Sequence, residues 1–474
     1  MTIADAALAE LMALAGRAQP DFVRIETGAP ALRTRFHADE AAAAALAAGG
    51  VLAADLWRLR GGEGQAVSVS TREAAAGLVS FLHQRFEDES RAPNMRRAFD
   101  TERTAVAGFM PTRDGRTVFL HPSFPPSTAR LVALLGCPDE REAVLKTVAG
   151  WDALDLEDAI AEAGVCGAMV RTPEEWDASD QGRALAALPV VEVIKLADSP
   201  PEPLPEPAGG ADAPLSGARV LDLTRVLAGP TCARTLAQYG AQVLHVASPN
   251  LPLVEPFVSD TSHGKLSAYL DLAGEDSRAR LRELVRGADV FSQGYRVGSL
   301  DRLGFGPLEL ARLRPGIIYA SINCYGHEGG WRGRPGWEQL AQTVTGMAQL
   351  HGGEAGPELQ PGAVTDYTTG YLAALGCLIA LKRRALHGGS YLVRASLCQT
   401  GMWIRRLGYA DAGRLDRVVP LGPEEIAGYA IRSETGYGPM RHLRPAVRMT
   451  ATPPRWTRPT TPLGSHPAAW PDAA

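Results

Sequence analysis

Cysteine is scarce and unpatterned, with six residues in 474 (Cys137, Cys166, Cys232, Cys324, Cys377 and Cys398) and no Cys-x-x-Cys spacing. That excludes a disulfide-stapled miniprotein, and the scattered thiols read as reduced and buried in a cytoplasmic protein. The opening residues, MTIADAALAELMALAG, carry Asp5 and Glu10 where a secretory signal places Lys or Arg. No uncharged apolar run reaches the roughly 18 to 20 residues of a membrane-spanning helix, so a soluble chain without a membrane partner is expected. Lys and Arg total 48 against 53 Asp and Glu, a net charge of −5, and no basic block marks a nucleic-acid face. No nucleic-acid partner is expected. The strand-linked G-x-G-x-x-G, the P-loop, H-E-x-x-H and G-x-S-x-G are all missing, which removes support for ordinary dinucleotide, P-loop, zincin and α/β-hydrolase chemistry. The ten histidines are dispersed with no i, i+4 pair, so no metal site is expected.

What is present is a 45% hydrophobic chain long enough for about two or three domains. Ser199 to Pro214 holds six prolines and two glycines, with Leu204 its one large apolar residue. Such a stretch cannot bury a core and reads as a linker between segments 1–198 and 215–474. After it the pattern is regular. Arg219 to Thr224 reads as a buried strand, Thr231 to Tyr239 as a helix stopped by Gly240, and Gln242 to Val246 as the next strand. The alternation continues through strands at Ala268–Leu272, Ala288–Gln293 and Gly316–Asn323, with helices over Glu275–Gly287 and Pro307–Leu313. This predicts an α/β fold with a parallel, doubly wound sheet.

Before the linker, helical signals dominate. Gly108–Thr112 and Thr117–His121 predict a hairpin, and Glu142–Val148 and Leu156–Ala163 predict amphipathic helices, together a smaller α+β module. An internal repeat spans both segments: Ala38 to Ser70 can be laid on Thr365 to Ser396, and Asp39 to Gly61 and Asp366 to Gly388 are both 22 residues apart. Each copy reads as an Asp at a helix start, a small-residue helix with basic residues at its end, a Gly-Gly stop and a short strand. A duplication or a fused pair follows from this reading.

Two places carry chemistry. The loop Thr224 to Pro230 leads into a helix N-terminus, where backbone N–H groups bind anions and Arg225 can reach a phosphate, although a plain strand-to-helix turn has the same look. Asp366, at a helix start, suits an N-cap. The field that suits a cap also keeps a carboxylate ionised and available as a nucleophile.

The stretch Pro214–Val246, then Gly264–Leu272, Ala288–Val290, Leu300–Gly304, Arg334–Glu338 and Asp366–Gly370, resembles the class III CoA-transferases in motif order across about 150 residues. This is the family of formyl-CoA transferase, carnitine CoA-transferase and α-methylacyl-CoA racemase. The resemblance implies a Rossmann-like sheet and a CoA-transferase that moves CoA from an acyl-CoA thioester to a carboxylic acid. Asp366 would be the catalytic nucleophile, passing through an aspartyl anhydride and an aspartyl-CoA thioester. It implies no permanently bound cofactor, coenzyme A entering as the thioester substrate, and CoA contacts at Arg225, Val226, Leu270, Tyr295 and Arg302. Residues from about Asp39 to Ile194 resemble the family's C-terminal half, here placed before the N-terminal half, while Ala451–Pro459 and Leu463–His466 resemble its closing segment. Family members form interlocked dimers, so an interlocked homodimer and exchange of segments between halves or chains are expected.

The chain also departs from the family. Trp337-Glu338 stands where the racemase branch carries a His before an acid, Ala247-Ser248 replaces the acid and basic pair after the second strand, and Gly294 replaces an Asn. Asp39 lacks the Tyr-Thr-Thr-Gly that follows Asp366 and reads as structural. The lost CoA contacts and the shuffled order keep open a catalytically impaired CoA-ester-binding or partner subunit; Trp337 counts against a racemase or epimerase, a third reading that rests on Glu338 as proton carrier.

Overall fold

A computed structural model describes residues 1–93, 104–207, 209–409 and 412–471. Its centre is a seven-stranded sheet: β1 (Val191–Ala197), β2 (Arg219–Leu223), β3 (Gln242–Ala247), β4 (Lys265–Tyr269), β5 (Val290–Gln293), β6 (Ile318–Asn323) and β7 (Ser390–Ser396). The spatial order is β4-β3-β2-β5-β6-β7-β1, with β1 antiparallel on β7 and every other pairing parallel. Counted from β2, the six parallel strands run 3-2-1-4-5-6, the order of a doubly wound nucleotide-binding sheet. These strands are buried on both faces, with Asp222, Ser292, Gln293 and Ser321 buried among their apolar residues.

Four helices position the site: α1 (Ala38–Leu59), α2 (Ala228–Gln238), α3 (Glu338–Val344) and α4 (Val364–His387). α1 and α4 are long and apolar enough to cross a bilayer, yet both are core helices, α4 buried over most of its length. Their alanines and glycines allow close packing. A Cβ on Gly370 would lie 2.6 Å from the Ala228 carbonyl oxygen, so α4 can approach the start of α2 only with glycine there.

β4 begins at Lys265, three residues before the strand expected from the sequence, and Leu270 and Leu272 lie beyond its end. The reason is an ion pair that a pattern of apolar residues does not reveal. The Lys265 ammonium is buried, donating to Asp222 at 2.9 Å and to the Pro230 carbonyl at 2.8 Å. Burial works against the Asp222 anion, but the Lys265 charge beside it holds the carboxyl below its ordinary value.

Three smaller sheets complete the fold. The expected hairpin forms as Gly108–Pro111 with Thr117–Leu120 and adds Gly167–Met169. The other two combine strands from both sides of the Pro-rich stretch: Val23–Glu26 and Val67–Ser70 with Val447–Met449, and Arg85–Phe86 with Ala430–Thr435 and Gly438–Leu443. β1 likewise joins the central sheet from before that stretch. Segment exchange therefore takes place within one chain. Val67–Ser70 has a parallel neighbour on one side and an antiparallel one on the other, as β7 has, and each of these strands follows a long helix and leads into a shorter one. The Pro-rich stretch is fastened down: Glu202 pairs with Arg314 and donates its N–H to the Arg384 carbonyl, while Arg60 bonds the Pro205 carbonyl and Glu206.

Candidate active site

The strand order reverses direction between β2 and β5, and a crevice forms outside the carboxyl ends of strands at such a point. A cleft of about 450 Å³ lies there. Arg225 and Val226 line it from the loop after β2, Tyr295 and Arg296 from the loop after β5, and Cys324 from the end of β6. The opposing wall is Ser123, Phe124 and Cys166 of the first segment, with Trp337 between. Four arginines (Arg225, Arg296, Arg332 and Arg334) line the cleft, and no Asp or Glu does among the described residues. Arg334 is already paired with Glu157 and Asp158, and the other three, with no ion pair among the described residues, favour an anion.

A larger cavity, about 860 Å³, sits at the amino ends of β2 and β3 beside the Pro-rich stretch. Two of its arginines are already paired, Arg314 with Glu202 and Arg455 with Asp212. It is on the wrong side of the sheet for the loops that carry chemistry in this architecture.

Backbone strain marks the same cleft independently. Among the described residues, two non-glycine residues have positive φ, Ser123 at 55° and Val226 at 68°, and both line it. For a β-branched residue such as Val226 this conformation costs energy and is held only by its surroundings. Here Asp222 fixes the start of the loop by accepting the Thr224 N–H at 3.0 Å and its hydroxyl at 2.5 Å. Gly229 lies against Thr224, where a Cβ would come within 2.3 Å of the threonine Cβ.

The proposed ligand-binding residues divide into two sets. Arg225, Val226 and Tyr295 come together in the cleft. The Arg225 guanidinium lies 5.3 Å from the Phe124 ring centroid and donates to the Pro252 carbonyl. Tyr295 is fixed through its N–H to Gln293 at 2.8 Å, and burial pushes its phenol up, so the ring presents a neutral face. Arg302 and Leu270 do not line the cleft. Arg302 is exposed on the turn Asp301–Leu303, with no ion pair among the described residues, and Leu270 follows β4, its N–H bonded to Ala247. Residue-by-residue reasoning missed Ser123 and Phe124. Their signal was the Pro-flanked run His121-Pro122-Ser123-Phe124-Pro125, which follows the hairpin directly.

Asp366 is the third residue of α4, buried at 9% exposure, and the cap is not its own. Glu338, the first residue of α3, supplies it. Its carboxylate accepts the Thr365 N–H at 3.0 Å, the Thr365 hydroxyl at 2.5 Å, the Asp366 N–H at 2.6 Å and the Gln342 amide at 2.6 Å. So engaged, Glu338 is a positioning group, and the free proton carrier that a racemase needs is not found in it. Burial and then the Glu338 charge push the Asp366 carboxyl well above the ordinary carboxylate range. Asp39, its counterpart in the repeat, accepts the Ala31 N–H at 2.8 Å, and the Leu32 N–H also favours its carboxylate.

A doubly wound sheet, an arginine-lined cleft at its switch point and a buried acid at a helix start define an α/β protein with a candidate active site at the carboxyl ends of its strands. The chain belongs to the CoA-transferase family III, whose model matches residues 11–201 and 215–425. It is 35% identical over 295 residues to an acyl-CoA transferase of Gibberella moniliformis, covering 58% of this chain and 52% of that protein. It is 31% identical over 380 residues to the acetyl-coenzyme A transferase nodX of Hypoxylon pulicicidum, covering 72% and 64%. The chain thus spans between half and two thirds of these relatives. A crystal structure of a CAIB/BAIF family protein from Brucella suis matches 40% of this chain and 55% of its own, at 29% identity and a TM-score of 0.37.

Proposed function

We propose that this protein transfers CoA between an acyl-CoA thioester and a carboxylic acid, with Asp366 as the nucleophile. The observation that carries the reading is the placement of Asp366, buried at a helix start, next to the arginine-lined cleft: the Glu338 that holds its N–H follows directly on Trp337 in the cleft wall. The Asp366 carboxylate attacks the thioester carbonyl, the C–S bond breaks, and an aspartyl anhydride forms as the thiolate leaves. The thiolate then attacks the Asp366 carbonyl carbon, releasing the donor acid and leaving an aspartyl-CoA thioester. The acceptor carboxylate repeats the two steps in reverse and departs as the new acyl-CoA. One thioester is exchanged for another, so the sequence needs neither a strong base nor a resident cofactor. Burial makes the Asp366 anion more basic and, once ionised, a better nucleophile.

In this reading Arg225, Val226 and Tyr295 take the nucleotide part of CoA, with Tyr295 offering a face for adenine and the arginines meeting phosphate. Arg302, exposed and unpaired, reaches the outer phosphate, and Leu270 borders the same end of the sheet. The α1 unit is a copy of the α4 unit that has kept the helix-strand-helix fold and lost the chemistry. The test is intact mass spectrometry after incubation with acyl-CoAs, with hydroxylamine as the trap. A hydroxamate on Asp366, absent in Asp366→Ala, is expected. CoA esters that bind without forming any adduct would leave a binding subunit instead.

A further inference from the structure

The cleft stops short of the nucleophile. Asp366 does not line it, while Trp337 and Cys324 do, and both are tied to the Asp366 surroundings. Cys324 directs its S–H to the Trp337 carbonyl at 3.6 Å. Glu338, next in sequence, holds the Asp366 N–H. Trp337 is therefore the cleft-lining residue whose chain neighbour holds Asp366.

The ring is unusually well fixed. Its Nε1–H donates to Ser123 Oγ at 2.8 Å, it stacks on His121 with 6.1 Å between centroids at 27°, and Phe124 meets it edge-on at 5.8 Å. Ser123 is one of the two strained non-glycine residues, and His121 Nδ1 in turn accepts the Ser123 N–H at 2.9 Å. A left-handed serine that receives an indole N–H from another segment indicates that the position of that indole matters, because the strain is otherwise an uncompensated cost. The spacing of ring and backbone is also tight. A Cβ on Gly336 would lie 2.5 Å from Cys324 Sγ, so the segment carrying the ring cannot slide toward β6.

Building on the transfer reading above, we propose that Trp337, latched by Ser123, is the wall that sets the length of the acyl group admitted to Asp366, and that the donors are short acyl-CoAs. A rigid aromatic wall discriminates by volume, and one methylene against such a wall is worth roughly 10- to 200-fold in kcat/KM.

The experiment measures kcat/KM for acetyl-, butyryl- and octanoyl-CoA with the intact chain and with Trp337→Ala, Trp337→Phe and Ser123→Ala. The wild type favours acetyl- and butyryl-CoA. Trp337→Ala raises the octanoyl-to-acetyl ratio by about tenfold or more, Ser123→Ala raises it by less, and Trp337→Phe leaves it within about threefold of the wild type. A wild type that uses octanoyl-CoA as readily as acetyl-CoA overturns the proposal, as does a ratio unmoved by Trp337→Ala. Thermal melts identify a variant that fails to fold, in which case Ser123→Ala and Trp337→Phe decide. If no donor turns over, the transfer reading has failed on its own account. Calorimetric affinities of the same three esters for wild type and Trp337→Ala then read the wall by the same ratio.

Discussion

Glu338 accepts the backbone N–H of Asp366 at 2.6 Å, so one carboxylate holds the helix end on which the other sits. The pair is buried: burial and then the Glu338 charge raise the Asp366 carboxyl, while burial raises Glu338 against the hydrogen bonds it accepts. Replacing Glu338 by Gln keeps an acceptor oxygen but removes that charge. The Asp366 carboxyl then falls, and the acid limb of the kcat profile moves to lower pH. The lost donor partners also destabilise the fold by about 1–3 kcal/mol. A pH profile with an unmoved acid limb, measured on a folded Glu338→Gln, would contradict this coupling.

Asp39 tests the other copy. Burial lifts its carboxyl from 3.8 to about 6, with the Ala31 N–H working in the opposite direction. The unfolded chain releases this proton earlier than the folded one, so stability falls as pH rises from 3.8 to 6 and stays reduced above. Asp39→Asn offers the Ala31 N–H an uncharged acceptor. It is expected to gain up to about 3 kcal/mol near neutral pH and little below the ordinary carboxylate value, with activity unchanged. Urea unfolding at both ends of this window is the check, and an equal effect at the two ends would refute the titration argument.

The Lys265 and Asp222 pair lies under the loop that shapes the cleft. Lys265→Met leaves a buried anion alone and is expected to cost about 3–5 kcal/mol. Adding Asp222→Asn restores most of that loss. Chemical denaturation of the single and double variants measures the difference, and additive losses would show that the two groups act independently.

Gly370→Ala pushes a methyl group against the Ala228 carbonyl, one turn beyond Asp366. Overpacking of this kind costs about 1–3 kcal/mol. The displacement reaches the helix start, so kcat falls by more than KM changes. A variant of normal melting temperature and normal kcat would show that α4 has slack at this point.

Local patterns carried much of this structure. The run from Arg219 to Val246 announces strand, helix and strand because two short, mainly apolar runs flank a helix that Gly240 ends. The hairpin after Gly108 is legible from the turn residues between its strands. What local reading could not reach depends on distant partners. The strand Val191–Ala197 is placed by β7, nearly two hundred residues on. The cap of α4 comes from Glu338, 28 residues before Asp366, whereas sequence rules look for a cap within the adjoining turn. Lys265 fell outside the expected strand because its counter-ion is 43 residues away. Ser123 entered no list of candidates, since its strain and its indole partner exist only once the two segments fold together.

The Pro-rich stretch joins segments that already share three of the four sheets. Its exposed Gly209 and Gly210 offer a protease a place to cut, but severing the backbone there would release neither piece. The cleaved protein would stay assembled as a tight two-chain complex with its cleft intact. For this fold the covalent join acts as a tether that raises the local concentration of the two segments during folding, and the finished molecule no longer depends on it.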